Sequence, residues 1–346
     1  MLLRLESYGS RKSDEAMKRH NNTRVPAMMM AAAIDRFGPP SALTRHELPV
    51  PKPGPGEVLI ALETAGIGSW DTSVRDGSWR KPGRTRFPLV PGVDGAGTIV
   101  AIGARVRGLR IDDQVYAYEF ANPQGGFYAE YAVAEAAHVS RVPKHLNIRD
   151  AGAAAATALT ALQGIEALDL RPRQTILIFG ATGAVGTLAI QFAAHRGATV
   201  IATASGPVAT RLVRRLGATH VIDARRNESI DHLRDYAPDG LDCVLAFAGG
   251  KSLERCLDLV RSKGRVAYPH GIEPEPGKRS AFRLKSYDAV ANARAFAKLN
   301  RQIAATKLRV PIAATYPLGK AAQAHRRLER GRVLGRLVLR VRRASR

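Results

Sequence analysis

Cysteine is nearly absent from this sequence: Cys243 and Cys256 are the only two in 346 residues. They can form one disulfide at most and show no Cys-x-x-Cys spacing. That excludes a cysteine-stapled secreted fold and argues against a structural zinc site. Unbroken hydrophobic spans are missing as well. The 19 residues Ile176–Ala194 carry no charge, but Gly180, Gly183 and Gly186 interrupt them at a spacing that suits strand, turn and helix better than one membrane helix. A signal peptide is not expected, because Arg4, Glu6, Arg11 and Lys12 cut the apolar start short. The expectation is a cytoplasmic protein with no membrane segment.

Acidic residues are scarce relative to basic ones. The formal charge is +23, and from Arg294 to Arg346 fifteen Lys and Arg face one acid, Glu329. A basic tail suits nucleic acid, or a surface that meets phosphorylated ligands. No interleaved aromatics or nucleic-acid signature accompany the charge, so phosphorylated small ligands are preferred and nucleic acid is the alternative.

The length suffices for two domains, each with its own core. Residues 1–27 are polar and aperiodic, and read as a poorly ordered extension. From residue 28 to about 150, short strands with Gly/Pro punctuation are expected: Ala31–Arg36, Val58–Leu62, Gly97–Ile102, Gln114–Tyr118 and Tyr131–Val133. They suggest a small β-rich barrel. Over 151–285 the texture becomes alternating. The helix Ala151–Leu168 leads into strands at Thr175–Phe179, Thr199–Thr203, His220–Ile222, Cys243–Ala246 and Arg265–Tyr268. Helices at Val185–His195, Val208–Leu216 and Ser252–Arg261 separate them. Short apolar strands between helices signify a parallel, doubly wound sheet. The segment Glu273–Lys285 reads as an exposed loop. Over 286–346, a helix near Ala291–Ala304 and a strand at Arg336–Val341 are expected to return to the first domain.

The chemistry concentrates in Ile176-Leu-Ile-Phe-Gly-Ala-Thr-Gly-Ala-Val-Gly186. Its glycines follow an apolar strand and open a helix with a buried stripe at Val185, Leu188, Ala189 and Phe192. One glycine permits the turn, one lets a pyrophosphate approach the backbone, and one lets helix and strand pack closely. The helix N-terminus then offers N–H groups to the phosphates. Gly180, Ala181, Thr182, Gly183, Ala184, Val185 and Gly186 are thus candidate cofactor-binding residues. NAD-binding units place an acid after the second strand, to bind the ribose 2′-hydroxyl. Here that place falls at Ala204–Ser205, and no Asp or Glu occurs from Leu170 to Ile222, whereas Arg211, Arg214 and Arg215 do. Ser205 with a guanidinium such as Arg211 suits a 2′-phosphate. NADP(H) is the expected cofactor.

With these residues in place, the chain resembles the zinc-free quinone-oxidoreductase-like (zeta-crystallin-like) branch of the medium-chain dehydrogenase/reductase superfamily. Besides the glycine motif, the matching blocks are Pro91–Gly103, Ile111–Tyr118, Gly125–Val133, Ala158–Leu162 and His325–Leu339. The resemblance implies an α/β protein: a GroES-like β-rich catalytic domain, completed by the C-terminal segment, plus a Rossmann nucleotide domain. It further implies a cleft between the two domains, a homodimer, and Thr160 as a cofactor contact. Zinc-dependent relatives carry Cys at the position of Gly68 and His at that of Val93. Neither residue present can ligate a metal, so no metal is expected. Many quinone reductases carry Asn at Gly68 and Tyr at Ser73, and this chain departs at both. The family's usual lysine after the second strand is Ala209 here, which would leave its task to Arg211.

Hydride transfer needs an acceptor carbon placed against the nicotinamide and stabilisation of charge on oxygen. Without zinc, hydrogen-bond donors or water supply the latter. Trp70, Ser73 and Tyr118 are candidate pocket residues, and Asp71 with Arg75 is expected to form a structural pair. The function expected is NADPH-dependent reduction of a quinone, enone or other carbonyl compound. The alternatives are a zinc-free alcohol dehydrogenase on simple carbonyls, and a non-catalytic NADPH- and RNA-binding protein.

Overall fold

In a computed structural model, which describes residues 25–78, 85–120, 122, 125–226 and 228–342, the early strands form two sheets. The extension expected over 1–27 lies outside the described residues except for 25–27. Strands β1 (Met28–Ala33) and β2 (Thr44–Pro49) pair antiparallel. The long β3 (Glu57–Ile67) pairs with β4 (Asp94–Ile102), which continues to β5 (Gln114–Tyr118); β6 (Tyr131–Glu135) pairs with β3 and β7 (Val139–Arg141) with β5. Val58, Ile60, Leu62, Ile99, Val115 and Val133 fill the core of this half.

Between β3 and β4 stands a short helix, α1 (Ser69–Asp76), which the sequence reading did not assign. Its ends explain it. Asp71 accepts a hydrogen bond from the Gly68 N–H at 2.7 Å, satisfying an N-terminal donor, and Gly77 closes the helix at φ +84°.

Helix α2 (Ile148–Ala167) begins at Asn147, whose side chain accepts from the Asp150 N–H. It packs on β3, β4 and β5 on one side and on the second half of the chain on the other. Its alanines and glycines make that double contact possible. A Cβ at Gly152 would strike Thr64, and one at Gly164 would strike Tyr287.

Beyond α2 the alternating pattern yields the expected parallel sheet. Its strands are β8 (Thr175–Phe179), β9 (Thr199–Thr203), β10 (His220–Ile222), β11 (Leu241–Ala246), β12 (Val260–Pro269) and β13 (Phe282–Tyr287). Their order is β10-β9-β8-β11-β12-β13, every pair parallel. Helices α3 (Ala184–His195), α4 (Pro207–Arg215), α5 (Ser229–Tyr236) and α6 (Lys251–Leu257) connect the strands up to β12. The order reverses at β8, so the crevice at the carboxyl end of β8 is the switch point where such sheets bind ligands.

The segment expected as a loop ends instead in strand β13. Phe282 and Leu284 face the core while Arg283 and Lys285 face solvent, an alternation hidden by the Pro- and charge-rich run before it. Helix α7 (Ala293–Thr306) and strand β14 (Ile312–Pro317) follow, then helix α8 (Ala321–Glu329) and strand β15 (Arg336–Arg340). β15 pairs antiparallel with β3, and β14 parallel with β15, so the end of the chain joins the seven-stranded sheet of the first half. Among the described residues no helix is long and apolar enough to cross a membrane.

Candidate active site

The turn after β8 is built by backbone. Gly180 adopts φ +77° and its N–H donates to the Thr203 hydroxyl at 2.9 Å, which locks the loop to β9. A Cβ at Gly186 would lie 2.7 Å from the Ala181 Cα, so only glycine lets α3 pack this close to the turn. At Gly183, the N-cap of α3, a Cβ would have only the Gly180 carbonyl as a neighbour, at 3.5 Å. No side chain caps the helix there. The N–H groups of Val185 and Gly186 at this uncapped helix start meet no side-chain acceptor, as an anion-binding helix end requires. Val185 is only half-buried, while Leu188, Ala189 and Phe192 complete the buried stripe. The last strand docks on this loop, because the Gly335 N–H donates to the Thr182 carbonyl at 2.8 Å.

The neighbouring corner contains an acid that the sequence window narrowly missed. Asp223, directly after β10, accepts a 2.6 Å hydrogen bond from the Ser205 hydroxyl and further bonds from the Arg225 backbone and Nε, each at 3.3 Å. Burial pushes the Asp223 carboxyl up, but Ser205 and Arg225 outweigh it and hold it below its ordinary value. Arg211 lies exposed on α4, with no hydrogen bond joining it to Ser205 among the described residues. The guanidinium in contact with this corner is therefore that of Arg225. Thr160, on α2, spends its hydroxyl proton on the Ala156 carbonyl at 2.8 Å, and its own carbonyl accepts from Tyr287.

Across the first sheet, the pairing registers bring a row of residues together at one end. Leu337 faces Ile67, Ala65 faces Gly95 and Asp94 faces Tyr118. Arg336, Gly66–Gly68, Asp94 and Tyr118 therefore follow one another over β15, β3, β4 and β5. Asp94 is fully buried and Arg336 is 6% exposed, and they form an ion pair at 2.7 Å. The other Asp94 oxygen accepts from the Ala156 N–H of α2. Burial raises the Asp94 carboxyl, and the guanidinium opposes that rise. Tyr118 is half-buried with no hydrogen-bond partner for its hydroxyl among the described residues. Burial and the nearby carboxylates, Asp94 first, drive its pKa up, which keeps it a neutral donor.

Asp71 and Arg75 are both buried, but they do not pair with each other as expected; two residues stand between them. Arg75 donates to His325 Nδ1 at 3.2 Å, His325 Nε2 lies 3.1 Å from the Tyr128 hydroxyl, and that hydroxyl donates to Asp71 at 3.2 Å. Arg75 also pairs with Glu329 at 2.7 Å. Because Nδ1 accepts from an arginine, Nε2 carries the His325 proton, and every donor in the chain points toward Asp71. Burial, with Arg75 adding to it, pulls the His325 pKa down to about 3; burial pushes Asp71 up to about 7 against the pull of Arg336. This network fixes the loop from which Gly68 and Trp70 project.

Trp70 reaches the other half of the molecule. Its ring lies 3.1 Å from where a Cβ on Gly271 would be, just past the carboxyl end of β12, and it meets Phe120 edge-on at 5.6 Å. Trp70 thus joins α1 to the loop after β12. Ser73, on α1, is half-buried and its hydroxyl has no partner among the described residues. Cys243 and Cys256 are buried and free, and burial raises both thiols, Cys256 to about 11. Among the described residues no three His, Cys, Asp or Glu side chains are grouped to hold a metal ion.

The candidates expected from the sequence, the glycine loop, Trp70, Ser73 and Tyr118, lie on the turn after β8, on α1 and on β5. The buried pairings of Arg336, Tyr128 and His325 were not among the expectations, and the acid-free window ended one residue before Asp223. The signal for Arg336 was present: an arginine opening an apolar strand, directly after a glycine.

Residues 54–144 match the alcohol dehydrogenase GroES-like domain, and residues 216–339 the zinc-binding dehydrogenase family. The quinone oxidoreductase of Lama guanicoe is 30% identical, over 86% of this chain and 93% of its own length. The 2-methylene-furan-3-one reductase of Solanum lycopersicum is 31% identical, over 91% and 80%. A mycobacterial protein solved in complex with NADPH superposes with a TM-score of 0.80 at 26% identity, covering 90% of this chain and all of that one.

Proposed function

The chain belongs to the quinone-oxidoreductase-like branch of the medium-chain dehydrogenase/reductase superfamily, and on that footing we propose a zinc-independent, NADPH-dependent reductase of small quinones, enones or other carbonyl compounds. The observation that carries the proposal is the uncapped start of α3 at Gly183, where a Cβ would meet only the Gly180 carbonyl, with a glycine-only turn behind it. Bound there, a reduced nicotinamide supplies a hydride with its electron pair. The chain's own residues do the rest. The N–H groups of Val185 and Gly186 hold the pyrophosphate, and Arg225 and Arg211 lie on the side where a 2′-phosphate would extend. Trp70 and Phe120 keep water from the cleft mouth. The reacting oxygen meets donors at the end of the first sheet, and the proton that completes reduction comes from solvent. The conjugated ketone in the name of the tomato relative and the NADPH in the mycobacterial complex support the same reading. The open edge of β13 suits a homodimer, and the reading places the protein in the cytoplasm.

The test is NADPH oxidation followed with a panel of quinones, enones and simple aldehydes. Steady consumption with conjugated acceptors is expected. Turnover of aldehydes alone would replace the proposal with an alcohol dehydrogenase, and no turnover with any acceptor would sink it. A parallel titration with NADH checks the cofactor, since equal affinity for the two would refute NADPH preference.

A further inference from the structure

Where the β1–β2 pair meets the end of β15, a cavity of about 320 Å³ is lined by three arginines, Arg45, Arg340 and Arg342, and by one carboxylate, Glu130. Strand pairing gathers them. Arg45 stands opposite Ala32 of β1, Arg340 opposite Pro317 of β14, and the Glu130 N–H donates to the Met30 carbonyl at 2.9 Å. The carboxylate is already committed: Glu130 accepts from the Met30 N–H at 2.9 Å and faces the Arg342 Nε at 3.8 Å. The Arg342 guanidinium also lies over the Tyr131 ring, 4.1 Å from its centre, which fixes its position. Arg45 and Arg340 are exposed, and among the described residues neither side chain has a hydrogen bond or an ion pair. Three guanidiniums against one carboxylate leave two positive charges unmatched in one cavity. A cleft lined by charge of one sign concentrates the opposite ion. Met30, half-buried, and Leu318, buried, give the same cavity an apolar wall. Arg340 ends β15, five residues beyond Gly335, whose N–H is bonded to Thr182 of the glycine loop. At strand spacing that is roughly 16 Å, so these cations are separate from the donors that a cofactor pyrophosphate would meet.

We infer that this cavity is a second anion site, which takes a small phosphomonoester with an apolar body and holds its phosphate with Arg45, Arg340 and Arg342. The inference does not depend on the reductase reading. Charge selects the ligand class. Two unmatched positive charges suit a dianion, and a phosphomonoester at neutral pH carries almost two negative charges on three acceptor oxygens. A carboxylate or sulfonate brings one charge and leaves one guanidinium unmatched. A nucleic-acid strand likewise brings one charge per phosphodiester. Guanidiniums offer forked N–H donors that fit phosphate oxygens, and they stay charged at all working pH values. Size restricts the ligand further. A volume of about 320 Å³ is at the low end for ligand pockets, enough for a phosphate with one ring or a short chain. Met30 and Leu318 then supply the contact for that body.

The test is a calorimetric titration of the full chain with phenyl phosphate at physiological ionic strength, where attraction between distant exposed charges is largely screened. Saturable binding is expected. The double variant Arg45→Gln with Arg340→Gln should weaken it by about 100-fold, roughly tenfold for each guanidinium. Both residues are exposed and unpartnered among the described residues, so this variant should fold as wild type does. Glu130→Gln should act in the opposite direction. It removes the opposing charge, keeps an acceptor for the Met30 N–H, and should tighten binding about threefold. Affinity should rise by up to about tenfold from pH 5 to 7, as the second phosphate ionisation near 6 is passed. Benzenesulfonate, with the same ring and one charge, and inorganic phosphate, with no ring, should both bind more weakly. Phosphate captured at the start of α3 is told apart by the double variant, which leaves that loop untouched. Equal affinity in wild type and the double variant therefore overturns the inference, as does the absence of binding by wild type. It is also overturned if a single-stranded oligonucleotide displaces phenyl phosphate at equal phosphate concentration and loses its affinity in the double variant. The arginines would then serve nucleic acid.

Discussion

The two sides of the proposed site are built from different materials. The cofactor side is backbone: three glycines within seven residues, a helix start without a cap, and a single side-chain lock from Thr203. The proposed substrate side rests on side chains drawn from three strands, with Asp94 and Arg336 separated by 242 positions in the chain and joined in a buried ion pair. A backbone site is local, tolerates exposure and depends on the absence of atoms. A side-chain site depends on pairing, because each of its charged members would be unfavourable in the interior alone. Substitutions should separate the two sides accordingly.

The largest expected effect falls on the paired side. Asp94→Ala leaves the Arg336 cation buried with no counter-charge, and should destabilise the protein by about 3–5 kcal/mol in urea unfolding. If the substitution proves near neutral, the pair is not what holds this end of the sheet. On the backbone side, Gly186→Val drives a side chain into the Gly180 carbonyl and the Ala181 Cα. A loss of about 1–3 kcal/mol is expected from overpacking, with NADPH binding abolished even where the fold survives. Calorimetric titration of the folded variant checks this, and wild-type NADPH affinity would show that the loop binds nothing of the kind.

A smaller effect is expected where the two materials meet, at Ser205, Asp223 and Arg225. Removing the exposed guanidinium with Arg225→Ala should weaken NADPH binding about 10-fold, roughly one charge-assisted contact. NADH affinity should be unchanged. Asp223→Asn should move preference the other way, toward NADPH, because the carboxylate repels a 2′-phosphate. Equal effects on both cofactors would detach this corner from the adenosine end.

The same contrast explains what could be read in the sequence. The glycine loop was legible because its signal is contiguous: an apolar strand, glycines at 180, 183 and 186, then a helical stripe. The parallel sheet was legible for the same reason, except β13, where charged Arg283 and Lys285 alternate with Phe282 and Leu284 and read as a loop. The row of Arg336, Gly68, Asp94 and Tyr118 was not legible, since its members come together only through pairings between strands far apart in the chain. Asp223 was lost by a narrower margin. It follows the third strand, and the acid expected of such sheets was sought after the second.

The weakest expected signal in wild type is also the most specific to the buried side. Asp71 titrates near 7 in the fold against 3.8 outside it, and His325 near 3 against 6.5. Between about pH 4 and 6.5, folded Asp71 holds a proton that the unfolded chain has lost, so this group alone would lower stability as pH rises. Over the same range unfolded His325 holds a proton that the folded chain lacks, so this group alone would raise stability as pH rises. Each contributes at most about 1.4 kcal/mol per pH unit, with opposite signs, and in wild type the two cancel. Single variants uncover them. Measured as the difference from wild type in unfolding free energy, His325→Gln should lose stability from pH 4 to 7, and Asp71→Asn should gain it from pH 3 to 6.5. Parallel, flat difference curves for both would mean that neither group is buried in the state described, and that the chain from Arg75 to Asp71 is open to water.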